Sequence, residues 1–458
     1  MKIAVLSGSP KGELSVTLQY VKLIQRKFPQ HELRIFNISH DIQKIEADEK
    51  VFGEIIDDIK GFDGVLWVFP LYVLLVPAQY KRFIELIWGR GAQDAFKDKY
   101  TAVLTTSIHF YDHTALNYMR AICDDLNMRF VESFSADMDD IFLERMRARL
   151  LIFAKNFFEA IENNLPTAKI FAPLVHSKFR YAPGKANDKI DTQGKRVVVI
   201  TDTQDDQSNL AKMVRRFKDS FCQDIEVVNL YDIDIKGGCL GCCQCAFDNI
   251  CVYQGKDGFI GFFNTKIRNV DISVYAGTIK DRYLSARCKM HLDRSFFNGH
   301  TPVQMGKQMG FIVSGPLSQI PNLRQILEAE AEVSQANLAD IITDECGDSL
   351  QLDALLQNFA NNCVQFSVEN YIRPPTFLGV GGHKIFRDLI WVRRFPFLAD
   401  YKFYRKHGLF DFPQKDKRNL DFNKQMLDLI KTPEMKEMVR KMAKSEMVKP
   451  YQKAAETA

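Results

Sequence analysis

No apolar run in this chain is long enough to cross a bilayer. The longest, Gly64 to Ala78, falls short of the roughly 18 residues a span needs and contains Pro70 and Pro77. The apolar run Ile3–Leu6 is far too short for the core of a secretion signal, and no small-residue cleavage site follows, so a cytoplasmic protein is expected. Glycine (25) and proline (16) are sparse and without period among 458 residues, which excludes collagen-like and disordered chains. A strong charge of one sign is also lacking. The net +4 conceals a split: residues 373–458 carry 19 Lys+Arg against 10 Asp+Glu, and the residues before them carry 42 against 47. Ten cysteines without a secretion signal imply thiols or metal ligands rather than disulfides.

What is present is enough apolar sequence, 46%, for a large core, and a length two to three times the roughly 150 residues of an ordinary domain. Short β-branched runs alternate with helical patterns. The first half reads as strands at 2–7, 32–36, 65–69, 101–105 and 129–134, separated by helices at 14–28, 50–59, 78–88, 114–127 and 143–162. Such alternation gives a parallel, doubly wound sheet, whose buried strands read as nearly continuous apolar runs such as Val65-Leu66-Trp67-Val68-Phe69. A Pro-, Gly- and Lys-rich stretch, 164–194, reads as a linker.

The order then restarts. Strands at 196–201, 226–230, 271–276, 309–314 and 340–343 alternate with helices at 210–221, 259–267, 285–296, 322–336 and 352–371. A domain-sized period means tandem duplication rather than a solenoid. On this reading Val68–Tyr72 corresponds to Val274–Thr278, and Lys81-Arg82-Phe83 to Lys289-Met290-His291. The expected units are 1–163, the linker 164–194, 195–372, and a basic helical extension 373–458.

Two segments of the first half carry chemistry. Ser7-Gly8-Ser9-Pro10-Lys11-Gly12-Glu13-Leu14-Ser15-Val16-Thr17 joins the first strand to the first helix, where hydroxyls and free backbone amides favour a phosphate, although the run is neither a Walker loop nor G-x-G-x-x-G. A solvated turn with a Ser cap is the plainer alternative. Pro70-Leu71-Tyr72-Val73-Leu74-Leu75-Val76-Pro77 follows the third strand, at the sheet edge where open α/β folds bind ligands. Together the two segments resemble the flavodoxin-like NADPH-dependent FMN reductases, matching their Gly-Ser-Pro-Lys phosphate loop and their Pro-x-Tyr turn followed by Val-Pro-Ala and a helical Lys. The resemblance covers about the first 160 residues.

It implies strand order 2-1-3-4-5 in each half. It also implies that Ser9, Lys11, Ser15, Val16 and Thr17 hold the FMN phosphate, and that Pro70, Leu71, Tyr72 and Val73, with Thr106, Ser107 and Ile108 after the fourth strand, hold the ring. His109, Tyr111 and His113 either border the ring or are loop surface.

The second half carries Cys239-Leu240-Gly241-Cys242-Cys243-Gln244-Cys245, then Cys251. Cys239, Cys242, Cys245 and Cys251 form C-x2-C-x2-C-x5-C, with Cys243 left over. Tight x2 spacing suits an iron–sulfur cubane better than zinc, which more often uses two separated knuckles. Zinc and an empty loop remain alternatives. The run resembles the compact motif of iron–sulfur flavoproteins, which implies a 4Fe-4S cluster. Cys123, Cys222, Cys288, Cys346 and Cys363 read as small buried residues. Family members often carry Lys-x-x-x-Asp-Arg, here Lys289, Asp293 and Arg294, whose plainer reading is a helix-capping ion pair.

The expectation is a flavin-dependent oxidoreductase passing electrons between NAD(P)H or a reduced carrier, FMN and the cluster, with one FMN per chain and no catalytic side chain assigned. Its partners would be NAD(P)H and a small redox acceptor, with ferredoxin and homo-oligomers left open. The alternatives are a quinone or nitro-compound reductase with structural cysteines, and a ferredoxin-linked carrier without a substrate. The basic, aromatic tail, Arg387 to Lys406, would pack across the two halves or dock an acidic partner or a membrane surface; nucleic acid is not expected.

Overall fold

A computed structural model describes residues 1–186 and 188–457; Asn187 of the expected linker and Ala458 of the extension lie outside the described residues. The first half runs β1 (Lys2–Ser7), α1 (Val16–Lys27), β2 (Glu32–Phe36), α2 (Ile42–Ala47), α3 (Glu49–Lys60), β3 (Gly64–Pro70), α4 (Ala78–Gly89), β4 (Tyr100–Ser107), α5 (Asp112–Asp125), β5 (Arg129–Asp137) and α6 (Glu144–Glu162). The second runs β6 (Val197–Thr201), α7 (Asn209–Asp219), β7 (Glu226–Asn229), α8 (Phe259–Phe262), β8 (Ile272–Thr278), α9 (Ala286–Ser295), β9 (Gln308–Ser314), α10 (Pro321–Val333), β10 (Asn337–Thr343) and α11 (Ser349–Glu369). The C-terminal helices are α12 (Phe377–Val392), α13 (Leu398–Lys406), α14 (Lys417–Leu429) and α15 (Pro433–Thr457).

Each half is a five-stranded parallel sheet, ordered β2-β1-β3-β4-β5 in the first and β7-β6-β8-β9-β10 in the second. Both are flavodoxin-like 2-1-3-4-5 sheets, as expected. The expected helix 259–267 is instead one α turn running into a wider π turn, Phe263–Ile267. Helix α1 starts at Val16 because Leu14, 84% exposed, belongs to a separate 3-10 turn and Ser15 caps the helix by accepting the Leu18 amide.

Alternate strand residues point to opposite faces. In the first sheet Ile3, Val5, Leu66 and Val68 pack beneath α1 and α6 against Leu18, Val21, Phe153 and Phe157. Ala4, Leu6, Trp67 and Phe69 face the other way, into a core that continues into the second half through Ile279, Phe311, Val313, Leu323 and Leu327. The sheets therefore share one apolar core, and residues Met1–Tyr401 form one compact unit; Lys402–Ala458 form another.

The join centres on α4 and α9 and is reciprocal. Glu85 of α4 accepts the Ala286 amide at the start of α9 at 2.7 Å, and Asp293 of α9 accepts the Ala78 amide at the start of α4 at 2.7 Å. Each helix N-terminus thus meets a carboxylate from the other half, where its unpaired amides and dipole favour negative charge. A buried lysine accompanies each acid: Lys81 reaches Glu85 and Asp281, both at 2.9 Å, and Lys289 reaches Asp293 and, at 2.8 Å, the Tyr72 carbonyl. Burial opposes the charge on Lys81, but Asp281 and Glu85 outweigh it and hold the ammonium above its usual pKa. Lys289 has one carboxylate, burial wins, and its pKa is lowered. Arg282 adds a bidentate pair to Asp125 at 2.7 and 2.6 Å. The capping expected of Asp293 is real, but the helix it caps belongs to the other half.

Glu330 of α10 is fully buried near Lys289, and burial pushes its carboxyl up to about 8. A folded carboxyl that keeps its proton above the unfolded value of 4.5 binds more protons than the unfolded chain between about pH 4.5 and 8, so stability falls as pH rises across that window, by at most about 1.4 kcal/mol per pH unit. Glu330→Gln should remove the slope. Its urea midpoint should gain on the parent's from about pH 5 to pH 8; a constant offset would show that Glu330 does not titrate this way.

Candidate functional site

The site lies at the carboxyl ends of β1, β3 and β4. After β1 the chain turns under a tight constraint: Gly8 donates to the Val68 carbonyl at 2.7 Å, and a Cβ there would come within 2.8 Å of Phe69 and the Tyr80 ring. Ser9, Ser15 and Thr17 are buried, Ser9 accepts the Lys11 amide at 3.3 Å, and the Ser7 hydroxyl is buried without a partner. The first amides of α1 open onto this turn, an arrangement that suits a phosphate.

The three expected flavin segments are joined directly. Thr17 and Thr106 share a hydroxyl hydrogen bond of 2.6 Å, and the Leu71 amide donates to the Thr106 carbonyl at 3.0 Å. Tyr72 and Leu75 exchange backbone hydrogen bonds around Val73 and Leu74, both with positive φ (36° and 68°), so two bulky residues hold a left-handed turn at the sheet edge. Ser107 accepts the His109 amide, and Ile108 follows it. Of the bordering aromatics, Tyr111 donates to the Leu378 carbonyl of α12 and His113 lies 3.3 Å from Gln325 of α10, so both face neighbouring helices; His109 pairs with Asp112 at 2.9 Å.

The cysteine loop of the second half lies on this turn. The Cys239 carbonyl accepts from Gln79 at 3.0 Å, and the Lys236 carbonyl accepts from Gln43 at 2.6 Å. At Gly241 (φ +62°) a Cβ would fall 1.8 Å from the Tyr72 hydroxyl and 3.0 Å from Lys11 Cε, so only glycine allows the approach. The neck of the loop is gripped by Arg294, which donates to the Gly237 carbonyl at 2.9 Å and to Asp257 at 2.8 and 3.1 Å. Lys289, Asp293 and Arg294 therefore hold the flavin turn, the start of α4 and the cysteine loop from one helix.

Cys239, Cys242, Cys243, Cys245 and Cys251 line one hollow with Tyr253, Arg294, Phe296 and Phe297. Burial pushes the Cys239 and Cys245 thiols up to about 12. Among the described residues no three Cys, His, Asp or Glu side chains form a group that could hold a metal ion. Outside the loop, Cys123 and Cys363 are buried, as expected; Cys288 and Cys346 are half-buried, and Cys222 is exposed.

The second half differs at the matching place. Its turn hydrogen bonds, Ile279 amide to Ser314 carbonyl and Lys280 amide to Tyr283 carbonyl, repeat those of Leu71 and Tyr72, so Lys280 stands where Tyr72 does, two residues beyond the correspondence read from the strands. Asp202 occupies the place of Gly8 and accepts from Ser285, whereas Asp205 and Asp206 turn to solvent. Asp344 collects the donors: Ser314 Oγ at 2.7 Å, the Gly315 amide at 2.9 Å and Asn209 Nδ2 at 2.9 Å. Phe179 and Tyr181 of the linker close over Asn209. In the second half a carboxylate thus satisfies the polar groups at the end of β9 and the start of α7.

Residues 1–139 match the family model of the NADPH-dependent FMN reductases. Solved structures resembling the chain each correspond to about one sheet with its helices. General stress protein 14 from Treponema denticola in complex with FMN is 14% identical, with a TM-score of 0.27, covering 35% of this chain and 98% of its own. FerB, a flavoenzyme NAD(P)H:(acceptor) oxidoreductase from Paracoccus denitrificans, is 18% identical, with a TM-score of 0.28, covering 34% and 97%. An NADPH-quinone reductase from P. pentosaceus is 14% identical, with a TM-score of 0.27, covering 34% and 96%. No curated protein matches.

In the half that the FMN-reductase family model matches, replacing Ser15 and Thr17 by Ala should weaken FMN retention at least tenfold, since each lost hydrogen bond to a charged phosphate is worth roughly 1.5–3 kcal/mol. Flavin fluorescence after gel filtration measures this; full retention at micromolar protein would remove the assignment. Acid extraction of the holoprotein should yield one FMN per chain, Asp344 barring a second.

Proposed function

We propose that the protein is an FMN-dependent NAD(P)H oxidoreductase whose first half, residues 1–163, binds the flavin and whose second half, 195–372, holds an iron–sulfur cluster against it. The seating of the cysteine loop on the flavin turn, Gly241 against Tyr72 and Lys11, carries this reading. FMN, when bound, takes two electrons from a nicotinamide and releases them singly, and a cluster carries one electron at a time.

The chain's own residues supply position. Ser9, Lys11, Ser15, Val16 and Thr17 would bind the phosphate; Pro70–Val73 and Thr106–Ile108 would support the ring. Lys289 holds the turn through the Tyr72 carbonyl. Cys239, Cys242, Cys245 and Cys251 place four thiols around one hollow and, once deprotonated by a metal, would be a donor set suited to a cluster carrying several irons apart from one another. A small redox acceptor is the expected second substrate.

The second reading, a quinone or nitro-compound reductase with structural cysteines, is favoured by the lack of any described group fit for a single metal ion. Anaerobic reconstitution separates the two. The first predicts iron and acid-labile sulfide bound with FMN, lost on Cys→Ser change at 239, 242, 245 or 251 and kept at 243; the second predicts flavin bleaching by NADPH without iron. Retained iron in the four single variants would remove the ligand assignment. No bleaching by NADH or NADPH would favour a carrier without a nicotinamide substrate.

A further inference from the structure

Two buried hydrogen-bond donors at the cysteine loop have no acceptor among the described residues. Arg294 is 1% exposed and stacks over Tyr253 at 4.1 Å; its two terminal nitrogens serve Gly237 and Asp257, while its Nε is unpaired. Arg294 lines the same hollow as the five thiols. The second donor comes from the other half. The Tyr72 hydroxyl is buried without a partner and lies against Gly241, between Leu240 and Cys242. Burial raises its phenol well above the usual value, and the neighbouring Cys239, Asp293, Cys243 and Cys242 raise it further. The Gly241 amide already points at Cys239 Sγ, 3.5 Å away.

An unpaired buried donor is costly, and few are tolerated in a native fold. Two of them at one cysteine loop, Arg294 in the wall of its hollow and Tyr72 against Gly241, from elements far apart in sequence, mark a place built for sulfur acceptors bearing negative charge. We propose that the Tyr72 hydroxyl and Arg294 Nε donate hydrogen bonds to the sulfur shell of the cluster held by the cysteine loop, and thereby raise its reduction potential. This rests on the cluster reading given above. One-electron reduction adds negative charge to that shell, so a donor stabilises the reduced form more than the oxidised one, and removing it lowers the potential. Tyr72 would then serve both sites, its backbone within the flavin turn and its hydroxyl on the cluster.

Tyr72→Phe deletes only the hydroxyl. In anaerobically reconstituted protein it should bind as much iron and sulfide as the parent. An EPR-monitored redox titration of the cluster signal should show the oxidised-to-reduced ratio at a fixed poise raised by up to about tenfold, a shift toward negative potential of roughly 59 mV for one electron. Arg294→Lys keeps the charge, removes Nε and should shift the potential the same way; if it fails to hold iron because the loop neck opens, Tyr72→Phe decides alone. Full iron loading with an unchanged potential in Tyr72→Phe would overturn the inference and leave the cluster reading standing. A parent protein that binds neither iron nor sulfide would overturn both.

Discussion

The exchange of carboxylates between α4 and α9 is the constraint on which the rest of the molecule depends. Glu85 and Asp293 each leave their own helix to satisfy the first amide of the other, and each brings a buried lysine. Removing one partner of a buried ion pair costs about 3–5 kcal/mol, because the remaining charge is stranded in a poor solvent. That penalty locks the two sheets in one relation. The Pro70–Pro77 turn, expected to hold a flavin ring, leads into α4, and the cysteine loop is held at its neck by Arg294, the residue after Asp293. Fixing the helix pair therefore fixes turn and loop against each other.

The halves are related by duplication, yet the exchange is not symmetric in chemistry. Lys81 is balanced by two carboxylates, whereas Lys289 spends one of its donors on the Tyr72 carbonyl. The place of Gly8 is taken by Asp202, and the donors at the end of β9 and the start of α7 are collected by Asp344. A fused chain can accumulate such differences because a substitution changes one half only; in a dimer of identical chains it would change both. The extension follows the same asymmetry: α12 covers Tyr111 through Leu378, Arg393 pairs with Asp139, Phe395 meets Phe247 of the cysteine loop, and Asp400 holds His300.

Much of this was legible in the sequence because its signals are local. Buried parallel strands are continuous apolar runs, so eight of the ten expected strands fall within two residues of those found; β5 runs three residues further, to Asp137, and β10 begins three residues earlier, at Asn337, where a polar start and a register shift blur the run. The three flavin segments come together because each follows a strand ending at the same sheet edge. Position 241 was different. Nothing local says that this glycine must let Tyr72 pass, since the contact exists only once the halves have packed. The same holds for Asp344, whose partners come from two segments far apart in sequence, Asn209 and Ser314-Gly315. One signal was available: a lysine followed four residues later by an acid occurs at the same place in both halves, Lys81/Glu85 and Lys289/Asp293, a repeat that surface helices have no reason to keep.

The hydrogen bond from Ala78 to Asp293 spans 215 residues. Ribosomes add about 5–20 residues per second, so Ala78 is made roughly 10–40 s before the carboxylate that accepts its amide exists. During that interval the amides opening α4 face water, and the apolar face of the first sheet that the second half later covers has no partner. Contacts of such long range slow folding and expose intermediates to aggregation. The nascent first half is thus exposed while the second is made, and the turn that Lys289 holds through the Tyr72 carbonyl lacks that contact until α9 exists.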